Sequence, residues 1–242
     1  DEEVTVIDPG PALHEHIEVI IQASANIKQI LLTHTHPDHS PGTRLLQDNI
    51  GVPVFALITE SSKDQDITFT PERILIDGEI IANEYYSIEV IHTPGHASNH
   101  LCYLLKDEKL LFTGDHIMDG STVVIAPPDG SMQDYIDSLA KLKEYDLNKI
   151  APGHGELIDE PYAVVDWIIK HRFERESKVI DVLKQHNSGD LNTLVKDIYA
   201  DVDSMLHPVA KWSLESHLIK LMDEGVVTRK NDKFSYIGDP SV

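Results

Sequence analysis

The sequence predicts an α/β domain of mixed sheets covered by helices, followed by a smaller module of three helices and a hairpin. Three observations carry this. Short apolar, strand-like runs alternate with amphipathic helical runs up to about residue 160. The pattern then becomes almost wholly helical. The charge changes with it: the 242-residue chain carries a formal net charge of −21, yet from Lys170 onward 11 basic residues nearly balance 12 acidic ones, against 9 and 29 before it. The two parts are electrostatically different, which places domains at 1–160 and 161–242.

Each element has its own local reason. "VTVID" (4–8) alternates and runs into Pro-Gly, which reads as a strand entering a turn. "LHEHIEVIIQAS" has helical spacing, and "IKQILLT" is a short apolar strand. "GTRLLQDNIG" reads as a short helix ending at Gly51, and "VPVFALI" as another strand. "YYSIEVIHT" alternates, and "HLCYLLKDEKLLFTGD" reads as two strands around a turn at 106–108. In "SMQDYIDSLAKLKEYD", Ser131 can cap a helix whose Tyr135, Leu139 and Leu142 share one face. "KIAPGHGE" is a strand and a loop. Beyond it, Pro161 opens a long helical run to His186, and "DLNTLVKDIYAD" and "VAKWSLESHLIKLMDEG" supply two more helices. "VVTRKNDKFSYIG" alternates around Asn231-Asp232, as a β-hairpin does. Three helices and a hairpin is the order of a winged helix. Trp167 and Trp212, at helical spacing from apolar neighbours, are expected in the core.

Composition narrows the function. The strong negative charge disfavours loose binding to nucleic acid or anionic membrane. No apolar run is long enough to span a bilayer and no leader-like segment precedes the first strand, so a cytoplasmic protein is expected, or a mitochondrial-matrix one in a eukaryote. A single cysteine, Cys102, excludes an internal disulfide framework and is expected to be a buried, inert thiol.

The chemistry concentrates in "THTHPDH". Three histidines and an aspartate, His34, His36, Asp38 and His39, fall within six positions at the end of an apolar strand. On extended backbone His34 and His36 point to the same side. Imidazole and carboxylate groups on a tight loop suit a divalent ion such as zinc. With further ligands to come, two ions are the natural count. Those further candidates follow other strands: His96 in "TPGH", Asp115 in "TGDH" and His154 in "PGHG". A rigid sheet can hold ligands placed at its strand ends with the accuracy that metal catalysis needs.

This combination resembles the metallo-β-lactamase superfamily over roughly residues 1 to 160. The stretches "HTPGHASNHLCYLL" and "GDHIMDGSTVVIAPPDGSMQDYIDSL" and the winged-helix tail are similar to its lactamase-beta-like branch. That branch includes a mitochondrial single-strand-specific endoribonuclease and many bacterial hydrolases. The resemblance implies an αββα sandwich with a C-terminal winged-helix domain. It implies His34, His36 and His96 on a first zinc, Asp38, His39 and His154 on a second, and Asp115 bridging both. Asp8 matches an aspartate that orients ligands from behind. Family members usually begin with strands ahead of the one matching "VTVID", so such strands are expected to be missing here.

The expected activity is hydrolysis by a metal-bridging hydroxide on two Zn²⁺, with Fe or Mn as alternatives, and Asp38 and Asp115 as the catalytic carboxylates. Asp115 as a bridge argues against a true β-lactamase, and Met118 stands where acyl-homoserine lactonases usually carry tyrosine. Single-stranded RNA is the first substrate reading, on the branch's nuclease precedent and a wing carrying Arg229, Lys230 and Lys233. Esters, thioesters or lactones, as in glyoxalase II or lactonase enzymes, come close behind. A third reading, from another class, is a nucleic-acid-binding protein with a vestigial metal fold. His100 and His116 are candidate proton donors, and Asn99 and Ser121 candidate substrate contacts. No membrane partner is expected, and a homodimer is left open.

Overall fold

The computed structural model describes residues 3–59 and 65–238. The first sheet is parallel throughout, in the order β1 (Val4–Ile7), β2 (Ile27–Leu31), β3 (Val54–Ala56) and β4 (Arg73–Ile74). Helix α1 (His14–Ala23) links β1 to β2, and α2 (Gly42–Ile50) links β2 to β3. The second sheet is β5 (Ile80–Ala82), β6 (Ser87–His92), β7 (Leu101–Leu105), β8 (Leu110–Gly114) and β9 (Lys149–Pro152). It is antiparallel up to β8, and β9 joins parallel to β8 after the crossover helix α3 (Met132–Leu142).

The period-2 alternation of the strands builds the layers. Ile30 of β2 packs outward with Ile17 of α1 and Leu46 of α2, whereas Leu31 packs inward. In the second sheet Val90, Leu101 and Tyr103 face Leu31 in the same inner core. Their neighbours Ile91, Cys102 and Leu104 face outward against Tyr135 and Leu139 of α3 and Val165 and Ile168 of α4 (Pro161–His186). The result is helices, sheet, sheet, helices, the expected αββα sandwich. Ser131 caps α3 by accepting from the Asp134 amide, as its sequence position suggested.

The C-terminal module adds α5 (Leu191–Ile198), a short 3₁₀ turn (Ser204–Leu206), α6 (His207–Asp223) and the hairpin β10 (Val227–Lys230) and β11 (Lys233–Tyr236). Asn231 and Asp232 take positive φ, as a two-residue primed turn requires. Helix α4 belongs to both bodies. Val165 and Ile168 sit in the core of the sandwich, whereas Val179, Val182 and Leu183 sit in the helical core with Leu214 and Leu218.

Two expectations need correction. "VPVFALI" forms a ladder only over Val54–Ala56, because its partner strands β2 and β4 are staggered and short. Trp167 and Trp212 are not core residues: they are 46% and 50% exposed. Trp167 lines a cleft between the sandwich and the winged helix, and helical spacing alone cannot tell a cleft wall or an exposed face from a core.

Candidate metal centre

Strands β6, β8 and β9 run in the same direction, so the segments that leave their ends emerge at one edge of the sheet. The segment after β2 joins them there, where the Leu101 amide donates to the Thr33 carbonyl. This brings together every ligand candidate named from the sequence. Ligand atoms of His34, His36 and His96 lie within 4.8 Å of one another, and so do those of Asp38, His39, Asp115 and His154.

Asp115 stands between the two groups. Its Oδ2 lies 3.7 Å from His96 Nε2, while its Oδ1 lies 3.2 Å from His39 Nε2 and 3.4 Å from His154 Nε2. Asp38 Oδ2 is 3.2 Å from His154 Nε2. Asp38 and His154 are the exposed members, with side chains 55% and 44% accessible, and mark the open mouth. His34 and His39 are buried.

Hydrogen bonds behind the cluster fix the ring tautomers. Asp8 is the hub: it accepts from the Thr33 amide at 2.7 Å and the Thr33 hydroxyl at 2.5 Å, and its Oδ2 lies 2.8 Å from His39 Nδ1. Because the Thr33 hydroxyl donates to Asp8, it must accept from His34 Nδ1, 3.0 Å away. His96 Nδ1 donates to the Val124 carbonyl at 2.8 Å. All three imidazoles therefore carry their proton on Nδ1 towards the protein and turn Nε2 into the site, the arrangement typical of metal-ligating histidine. His36 is turned the other way, with Nδ1 facing His96 Nε2 at 2.9 Å.

The donor set fits divalent ions. His34 Nε2 is buried with no hydrogen-bond partner. His39 Nε2 and Asp115 Oδ1 face each other but are out of line for a hydrogen bond. Buried polar atoms left this way are costly unless something else satisfies them. Burial holds the His34 and His36 rings neutral and pushes His96 down to about 4. Burial also works against a charged His39, but the Asp115 and Asp8 carboxylates beside it outweigh that and push it up to about 10, so a cation bound at Nε2 would displace the second proton of this ring. Neutral imidazoles and ionised carboxylates are the forms that bind a cation.

Glycine lets the backbone come this close. Gly95, just before His96, has φ +139°, and a Cβ there would meet the Tyr135 Cα at 2.3 Å. A Cβ on Gly153, before His154, would sit 3.0 Å from the His39 ring and 3.1 Å from Asp115 Oδ1.

The remaining candidates fall outside the ligand cluster. His100 and His116 are fully buried behind it, and burial leaves both neutral, His116 at about 3. Asn99 is buried and donates to the Thr35 hydroxyl at 2.9 Å. Ser121 is exposed and lines the cleft that Trp167 also lines. Two participants escaped the sequence reading. Thr33 was legible as a hydroxyl residue directly before a ligand; the Val124 carbonyl, a backbone group far along the chain, was not. Cys102 is buried, and burial pushes its thiol up to about 12, consistent with an inert role.

An αββα sandwich with His/Asp clusters gathered at one sheet edge defines a class of metal-dependent hydrolases. The chain belongs to the metallo-beta-lactamase superfamily, whose family model matches residues 1–154; a model of the beta-lactamase associated winged helix domain matches residues 191–235. It is 31% identical over 246 residues to a beta-lactamase-like protein 2 homolog of Caenorhabditis elegans, covering 98% of this chain and 81% of that one. An atrochrysone carboxyl ACP thioesterase of Aspergillus chevalieri is 27% identical over 231 residues, 91% of this chain and 71% of that one. Among solved structures, a metallo-beta-lactamase family protein from Thermus thermophilus superposes with a TM-score of 0.81 at 20% identity, covering 97% and 90% of the two chains. The winged-helix tail thus has counterparts in sequence and structure. Among the described residues, no helix is long and apolar enough to cross a membrane.

Proposed function

We propose that this protein is a dinuclear metal hydrolase, with zinc as the first candidate ion, acting on an ester or thioester bond of a small acyl substrate. The observation that carries the dinuclear reading is Asp115, whose two oxygens face the two histidine groups separately. His34, His36 and His96 would hold one ion, Asp38, His39 and His154 the other, and Asp115 both. Ions bound there would supply a nucleophile drawn from water near neutral pH and charge stabilisation for the developing oxyanion.

The chain's own residues do the rest. Asp8 and Thr33 hold His34 and His39 in the ligating tautomer. The Val124 carbonyl does the same for His96. His100 and His116, sealed behind the cluster, pack and position rather than touch substrate. Substrate enters from the side of Asp38 and His154, the exposed members.

An acyl substrate is favoured over single-stranded RNA, the first reading from the sequence. In a winged helix the third helix reads the groove. Here that helix, α6, buries Ser213, Leu214, His217 and Leu218, and its Ser213 hydroxyl accepts from the Ile125 amide of the sandwich. The wing's Arg229 is paired with Asp232. The thioesterase relative agrees with the acyl reading. In a screen of zinc-loaded protein, we expect turnover of an acyl thioester or p-nitrophenyl ester and none of single-stranded RNA. Asp115→Asn is expected to lower kcat at least about 100-fold, since it removes charge shared by both groups. RNA cleavage without ester or thioester turnover would overturn the substrate assignment.

A further inference from the structure

The buried stripe of α4 runs Val165, Ile168, Arg172, Arg175, Val179, Val182, at alternating spacings of three and four. Two arginines thus interrupt an otherwise aliphatic stripe, and the buried Glu176 beside it pairs with Lys220 and faces His217 rather than pairing with either arginine. Arg175 is compensated: its two Nη atoms each lie 2.9 Å from an Asp201 oxygen, and Nη1 also donates to the Ile198 carbonyl. Arg172 is not. It is 4% exposed, its Nη2 donates to the Val123 carbonyl at 2.5 Å, and its guanidinium lies 5.1 Å from the centre of the Tyr135 ring. Its Nε is buried with no partner, and among the described residues no carboxylate comes within ion-pair distance of it. A buried cation with no counter-charge is strongly unfavourable. It is the more conspicuous in a chain with 41 acidic residues.

Arg172 lines a cleft of about 460 Å³ between the 121–124 segment, α4 and α6. The volume is within the usual range for a small-molecule site. Trp167, Tyr199, Leu206 and Val209 give it largely apolar walls. Val124 also lines it, and the Val124 carbonyl holds His96. An occupant would therefore lie one residue away from the candidate ligand shell.

We propose that this cleft is a second binding subsite, for an apolar group bearing a carboxylate, with Arg172 as its counter-charge. Resting on the hydrolase reading, it seats an acid-bearing part of the substrate beside the metal centre; the binding itself does not depend on that reading. The apolar walls bury the body of the ligand, and its carboxylate supplies Arg172, which lines the cleft, with the counter-charge that the described residues do not provide.

The test is calorimetric titration of the full chain with 2-naphthoate and with its neutral amide, 2-naphthamide. One naphthoate is expected to bind per chain, at least tenfold more tightly than the amide. Arg172→Gln should weaken naphthoate at least tenfold and leave the amide unchanged. Val209→Trp, at a 38% exposed position on the cleft wall, should abolish both. Asp115→Asn should change neither, which separates this site from a carboxylate bound at the metals. Equal binding of acid and amide, no binding of either, or naphthoate binding indifferent to Arg172→Gln would overturn the proposal. If Arg172→Gln fails to fold, the acid-to-amide ratio and Val209→Trp decide it. Naphthoate binding of this pattern in a protein with no metal-dependent turnover would leave the site standing and the hydrolase reading refuted.

Discussion

Asp8 illustrates how a single residue can govern a centre from behind it. It sits at φ +49°, a conformation that aspartate tolerates better than most side chains, and this turns its carboxylate towards Thr33 and His39. Asp8→Ala would free both imidazoles to rotate and to change tautomer. The expected result is zinc affinity lowered by about 10–100-fold, with an unchanged far-ultraviolet spectrum, read by competition with a chromophoric chelator. At this scale the ligands were legible in the sequence, because histidine and aspartate crowded at strand ends have few other uses. Arg172 was visible only as an arginine on an apolar stripe. That its neighbour Arg175 would find Asp201 and that Arg172 would find no carboxylate depends on how α4 meets the rest of the chain.

Elements differ in how clearly they announce themselves. Helices α3 and α4 and the hairpin were legible because caps, an opening proline and a two-residue turn coincide with apolar periodicity. Strands β4 and β5 were not: two and three residues are too few to show a period, and their pairing comes from neighbours already in place. The connection from α5 to the 3₁₀ turn carries a pH-dependent tie. Arg175, then Lys178, holds the Asp201 carboxyl well below the usual carboxylate range. A depressed folded-state pKa stabilises above the unfolded value and loses that contribution as pH falls through the folded one. Asp201 is 54% exposed, so solvent screening limits the contribution. Asp201→Asn is expected to lower Tm at pH 7 by about 2–4 °C, on the order of 1 kcal/mol, with the difference shrinking as pH falls below about 4 and vanishing only below the depressed folded-state pKa. A difference that does not shrink at all as pH falls below about 4, measured by thermal melts across pH, would remove the ion pair as its cause.

At the scale of the whole molecule, α4 decides how the two bodies behave. Its first half completes the outer core of the sandwich and its second half the helical core. The residue-161 boundary drawn from charge and periodicity remains our proposal for where the domains divide in sequence. In space the bodies are joined through this shared helix, the α3–α6 contact and the Ile125–Ser213 hydrogen bond. Equilibrium unfolding is therefore expected as one transition, coincident by far-ultraviolet circular dichroism and by fluorescence of Trp167 and Trp212. Two separated transitions would show that the shared helix does not couple them.

One carboxylate, Asp115, is proposed to join two ligand groups into a centre for two ions. The most direct measurement is zinc bound per chain after equilibrium dialysis, determined by elemental analysis on wild type and on Asp115→Ala. Two zinc ions per wild-type chain and fewer than two in the variant are expected. A wild-type chain that holds at most one, or a variant that still holds two, would contradict this proposal.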